Sequence, residues 1–80
     1  MVSAMKEKVI IQFICGELQM DLEVPLDITG DELIYAIQNI VRVEDFLTSE
    51  NPIALIRGDQ TLEEIGIRNG SIIYGRRKTQ

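Results

Sequence analysis

The sequence predicts an α+β domain in which a single helix packs on one face of a mixed, four-stranded sheet. Three observations carry this. A near-continuous apolar run from Lys8 to Ile14 is followed, across Cys15-Gly16-Glu17, by a segment that alternates apolar and polar without error. A helix-capping signature then precedes apolar residues at helical spacing. Beyond the helix the chain returns to short β-branched runs separated by glycine turns. A helix that joins a hairpin to a later strand calls for a right-handed crossover, which sets that later strand parallel to the first.

Lys8 to Ile14 is rich in β-branched and aromatic residues, which favours a strand. Its apolar character on both parities suits a central position covered in part on both faces. Gly16 accommodates the positive φ of a tight turn. From Leu18 to Val24 the residues Leu18, Met20, Leu22 and Val24 are apolar, whereas Gln19, Asp21 and Glu23 are polar. That is a strand with one wet face, and the two segments form a β-hairpin. Pro25 ends the second strand because it has no N–H to donate.

Thr29-Gly30-Asp31-Glu32 has capping-box spacing, with Ile28 and Leu33 at the positions of a hydrophobic staple. Asp31 and Glu32 also suit the positive end of the helix dipole. Leu33, Ala36, Ile37, Ile40 and Val41 recur at helical spacing, with Ile34 at the stripe's edge and Tyr35, Gln38, Asn39 and Arg42 facing out. The helix is expected from Asp31 to about Val43. Val43 to Pro52 reads as a polar connection tucked onto the core by Phe46 and Leu47. Ile53 to Arg57 reads as a third strand, Thr61-Leu62-Glu63-Glu64 as a second capping box opening a single helical turn, and Ser71 to Gly75 as the last strand. The ordered core is expected over about 8–76, with 1–7 and 77–80 frayed.

The composition excludes most chemistry. Eighty residues make one small domain, which buries roughly 60% of its unfolded-chain surface. There is no histidine, hence no imidazole base, no Ser-His or Cys-His dyad and no histidine metal site. The single cysteine, Cys15, forms no intrachain disulfide and no CxxC zinc clip, and it fits a reducing compartment. The run Val9–Ile14 is too short to span a bilayer, Gln12 interrupts it, and its removal as a signal peptide would take a central strand with it. A soluble, cytoplasmic protein is expected, without membrane insertion.

Charge is unevenly placed. Glu17 to Glu64 carries a net of −10, and Ile65 to Gln80 carries +4 through Arg68, Arg76, Arg77 and Lys78, within a total of −5. The acidic body repels nucleic acid, so none is expected as a partner. The basic end reads as solubilising.

The order strand, strand, helix, strand, helical turn, strand is the β-grasp arrangement. At this point the chain resembles ubiquitin-like proteins, from Lys8 to Arg76. The resemblance rests on the hairpin with Val24-Pro25-Leu26-Asp27, on the helix opening Asp31-Glu32-Leu33-Ile34, and on the segment Thr61 to Ile73, which matches a "TLxxxGIxxGsxI" ending. Within that group it is most similar to the small bacterial YukD/EsaB family, through the pattern "DLxVPxxxxxxELI" at Asp21 to Ile34. Two departures stand out. Only four residues separate Ile56 from Thr61, so the short fourth strand of a ubiquitin-like chain is expected to be missing. The chain also ends Gly75-Arg76-Arg77-Lys78-Thr79-Gln80, without the terminal diglycine that conjugation or sulfur carriage needs.

Candidate sites are few. Cys15 lies at a hairpin turn with no base to activate it and reads as structural. Asp31/Glu32 and Glu63/Glu64 read as helix-terminal charges rather than an acid/base pair. Gly66, Gly70 and Gly75 do not form a phosphate loop. No cofactor, metal or catalytic residue is expected. What survives is a surface: Gln12 faces out and takes Ile10 and Ile14 with it. The register implied by the resemblance adds Leu55 and Ile73, with Arg76 and Arg77 at the basic end. Contiguous exposed apolar residues mark interaction sites.

The resemblance implies a non-catalytic interaction protein, an accessory or regulatory component of a Gram-positive type VII secretion system. Its partners would be proteins of that machinery, and the chain itself a monomer or weak homo-oligomer. The alternative is a small ubiquitin-like subunit of a multicomponent enzyme such as a bacterial monooxygenase.

Overall fold

The computed structural model describes residues 7–78. Five strands and two helices follow in the order β1 (Lys8–Cys15), β2 (Leu18–Pro25), α1 (Gly30–Gln38), β3 (Val43–Glu50), β4 (Ala54–Ile56), α2 (Leu62–Ile65) and β5 (Ile72–Arg77). They build one mixed sheet in the order β2-β1-β5-β3-β4. β1 and β5 are parallel neighbours at its centre, and the other pairings are antiparallel.

The hairpin forms as its pattern requires. β1 and β2 pair without a bulge from Lys8↔Pro25 to Cys15↔Leu18, and Gly16 turns between them at φ +62°. Val9, Ile11, Phe13 and Cys15 point into the core. Leu18, Met20 and Leu22 pack on its margin and are only partly covered.

Two expectations fail in the middle of the chain. The helix ends at Gln38, not near Val43. Gln38 does not face solvent idly: its amide Nε2 donates to the Val43 carbonyl at 2.8 Å, and its Oε1 accepts from the Val43 N–H at 3.3 Å. This stitch binds the helix end to the start of β3. The buried stripe is therefore Leu33, Ile34 and Ile37, whereas Ala36 is exposed and Ile40 stands 48% exposed beyond the last turn.

The expected polar connection is itself an eight-residue strand, so the sheet has five strands rather than four. Glu44, Asp45 and Ser49 disfavour a strand by composition. A bulge between Val43 and Leu47 also breaks the alternation that would have revealed it. Pairing on both sides, with β5 and β4, overrides local preference. Ser49 is buried, but its hydroxyl donates to the Pro52 carbonyl at 2.6 Å. β4 is the strand expected at Ile53–Arg57, shortened to Ala54–Ile56, and no further strand lies between Ile56 and Thr61.

The C-terminal end also differs. Arg77 belongs to β5 and pairs with Val43, and the Lys78 N–H donates to the Arg42 carbonyl, so the strand runs past the point where fraying was expected. Gly75 sits where a side chain has no room: a Cβ there would meet the Phe13 ring at 2.9 Å and Val43 Cγ1 at 3.0 Å.

Both capping boxes are formed. Thr29 Oγ1 accepts from the Glu32 N–H while Glu32 Oε1 accepts from the Thr29 N–H, and Thr61 with Glu64 repeats the pattern. The two helix starts lie back to back, joined by a Thr29↔Thr61 bridge. Gly30 N–H donates to the Gln60 carbonyl, Leu62 N–H to Ile28 and Glu63 N–H to Leu26. This clamp holds the helices on the core face and leaves the opposite sheet face open.

Candidate functional site: the open face of the sheet

Strand register decides which side chains share the open face. Ile14 on β1 lies beside Gln19 on β2 and Tyr74 on β5; Tyr74 lies beside Thr48 on β3, and Thr48 beside Leu55 on β4. These five residues form one row across the whole sheet. The next row holds Asp21, Gln12, Ile72 and Glu50. Ile10, opposite Glu23, stands beyond it.

Ile10 and Leu55 are each 54% exposed and lie on this face, as the sequence suggested. Gln12 and Ile14 share it, half-buried. Ile73 does not: it is 0% exposed, paired with Phe13 and Ser49 on the core side. The residue on the open face is Ile72. The physical reason is parity. Ser71-Ile72-Ile73-Tyr74 offers an apolar residue on either side, so alternation alone leaves the choice open, and the parallel register with β1 makes it.

Ile10 and Leu55 are three strands apart across the sheet and four residues apart along it, roughly 20 Å in all at the usual strand spacing and rise. Ile72, Ile14 and Tyr74 fill that interval. Tyr74 is a member that sequence reasoning missed, and its only signal was its place two residues after Ile72. The two arginines are not brought together on the face. Arg76 shares the parity of Tyr74, whereas Arg77 is paired with Val43 and so lies on the helix side; both are exposed.

A concave region of about 600 Å³ opens on the face, bordered by Ile10, Gln12, Asp21, Asn69 and Ile72. Asn69 Oδ1 accepts the Ile10 N–H at 2.8 Å and the Gly70 N–H donates to the Ile10 carbonyl at 3.0 Å, so its wall is held by backbone. A second network lies beside it, through the residues that flank Asn69-Gly70. Arg68 Nη2 donates to Asn51 Oδ1 and the Ser71 hydroxyl donates to the Asn51 carbonyl, each at 2.6 Å.

The Tyr74 hydroxyl donates to Glu50 Oε1 at 3.1 Å. This bond raises the phenol pKa above its ordinary value of 10.0, because ionisation would lose the donor and set two negative charges together. Tyr74 should therefore ionise at higher pH than an unperturbed tyrosine, and Glu50→Gln should bring its midpoint back down. NMR titration of the Tyr74 ring carbons in both proteins measures this. An unchanged midpoint in Glu50→Gln would refute the assignment.

The Cys15 thiol is 0% exposed. Glu32 and Glu64 are held in their capping boxes, and Asp31 Oδ1 accepts the Gly58 N–H at 2.8 Å. Among the described residues no group of three or more His, Cys, Asp or Glu is placed to hold a metal ion, and no helix is long and apolar enough to cross a membrane.

No protein-family model matches the chain, and no curated protein is similar to it at the level of sequence. Its fold is that of a known structure. The chain superposes on the C-terminal ubiquitin-like domain of mouse tubulin-specific chaperone e with a TM-score of 0.78 at 13% identity, over 98% of this chain and 94% of that one. The fold is therefore a ubiquitin-like β-grasp, as the order of elements predicted.

Proposed function

We propose that this chain is a non-catalytic protein-interaction module that binds its partner through the open face of the sheet. The observation that carries the reading is the set of apolar side chains on this face, Ile10 and Leu55 exposed at its ends and Ile14, Ile72 and Tyr74 half-buried between them, interleaved with Gln12 and Thr48. A set of this kind is costly to leave in water and suits burial against another protein. The similarity of Asp21 to Ile34 to the YukD/EsaB pattern supports a narrower version: a cytoplasmic accessory component of a Gram-positive type VII secretion system, acting on machinery proteins.

The test is the double substitution Leu55→Asp with Ile72→Asp. Both side chains are at least partly exposed, so the domain should stay folded by circular dichroism while capture of secretion-machinery proteins from the source organism falls at least tenfold. Unchanged capture by the folded variant removes the open face from consideration. Capture of diiron hydroxylase subunits in place of secretion proteins would reassign the partner and leave the face intact.

A further inference from the structure

We propose that the outer edge of β2 accepts, as an added strand, an extended segment of a protein partner in which apolar residues alternate with lysine or arginine. This surface is the edge of the sheet rather than its face, although Gln19, Asp21 and Glu23 border both. Among the described residues β2 has β1 as its only neighbour in the sheet, and it is eight residues long without a bulge. Alternate residues of an antiparallel strand turn their N–H and C=O toward the partner strand, so every second residue of β2 points both groups outward. The opposite edge of the sheet, β4, has only three residues and offers no comparable template.

The side chains state what the added strand must look like. On the helix side of β2, Leu18, Met20 and Leu22 are partly uncovered although they pack against the core. On the open side stand Gln19, Asp21 and Glu23, all exposed. Glu17 in the turn adds a third acid, and the sequence carries no lysine or arginine between Lys8, at the far end opposite Pro25, and Arg42. Neither Asp21 nor Glu23 forms an ion pair among the described residues. An incoming strand that places apolar residues beside Leu18, Met20 and Leu22 completes their burial, and its alternate positions then fall beside Asp21 and Glu23. Opposite charges across a strand pair are favourable and like charges are not.

The same carboxylates argue against the obvious competitor, a second copy. Pairing two β2 edges would set Asp21 and Glu23 of one chain against those of the other. Exposed edges are commonly protected from self-pairing by charge. Here the protection is of one sign, so it repels a copy and admits a cationic strand. Main-chain hydrogen bonds supply affinity in such additions, and the alternating side chains supply selection.

The probe is a capped heptapeptide of alternating lysine and valine, titrated into the ¹⁵N-labelled full chain. Saturable binding is expected, with amide shifts and slowed exchange centred on Gln19, Asp21 and Glu23, whose N–H groups face away from β1. The counterpart with glutamate for lysine should not bind. The isosteric double variant Asp21→Asn, Glu23→Gln should keep a folded spectrum and bind about tenfold more weakly. The lysine–valine peptide N-methylated at alternate amides, unable to donate to the edge, should lose binding as well. Equal binding by the N-methylated peptide means charge alone and overturns the proposal. Shifts confined to Ile10, Ile72 and Leu55, self-pairing of the protein through β2, or no saturable binding overturn it too.

Discussion

Replacing Ile37 by aspartate unfolds the domain. Ile37 is 1% exposed, on the face of α1 that meets the sheet, and Leu33 and Ile34 beside it are equally enclosed. A carboxylate there loses its hydration within an apolar core cluster. The penalty of such a burial is several kcal/mol. A chain of this size has roughly 4–12 kcal/mol of stability to oppose it. At pH 7 the variant should show collapsed amide dispersion and a lost thermal transition. Some structure should return as the pH falls, because the carboxyl is tolerated inside only when protonated. Two comparisons isolate the cause: Ile37→Val should cost about 1 kcal/mol, and Tyr35→Asp on the exposed side of the same helix should stay within about 0.5 kcal/mol of the parent. A folded, cooperatively melting Ile37→Asp protein would contradict the packing of α1 described above.

The second large effect is expected at Gly30. By helix propensity alone, alanine in place of glycine would stabilise by up to about 1 kcal/mol. The structure reverses the sign. A Cβ on Gly30 would lie 2.8 Å from the Arg57 nitrogen and 3.0 Å from its Cα, against backbone rather than a side chain that can swing away. The two segments are also zipped together. Gly30 N–H donates to Gln60, Asp31 N–H donates to Gly58, and Gly58 N–H returns a bond to Asp31 Oδ1. Moving Arg57 aside breaks that clamp. Gly30→Ala should therefore destabilise by roughly 2–3 kcal/mol, a fall of about 10 °C or more in Tm for a domain of this length. Gly16→Ala is the control: its site is open but at φ +62°, so only the backbone strain of about 1 kcal/mol is expected. Urea unfolding of the three proteins measures both. A stabilised Gly30→Ala would show that the clamp does not hold the two helix starts this closely.

Much of the fold was legible because the relevant signals are local. The hairpin follows from period-two alternation between Leu18 and Val24 and from a glycine at the turn. Both helix starts follow from Thr-x-x-Glu spacing, which acts within a single turn of chain. The illegible parts share a cause. β3 carries acids and a buried serine, and it is a strand because β5 and β4 flank it. The helix end was misplaced because the partner of Gln38 is a backbone group five residues later, in an element that the sequence did not reveal. The candidate face was half legible. Ile10, Gln12, Ile14 and Leu55 were placed on it correctly, but Ile73 was exchanged for Ile72, and Arg77 lies on the other side.

Composition and short-range pattern suffice to define an acidic domain without imidazole chemistry, a hairpin, two capped helix starts and a β-grasp order of elements. These depend on composition and on interactions spanning a few residues. Tertiary packing alone sets how many strands the sheet contains, which isoleucine of β5 meets solvent, and which edge has no strand beside it among the described residues. Each of those is a matter of register between distant segments, and a shift of one residue exchanges the buried face of a strand for the exposed one.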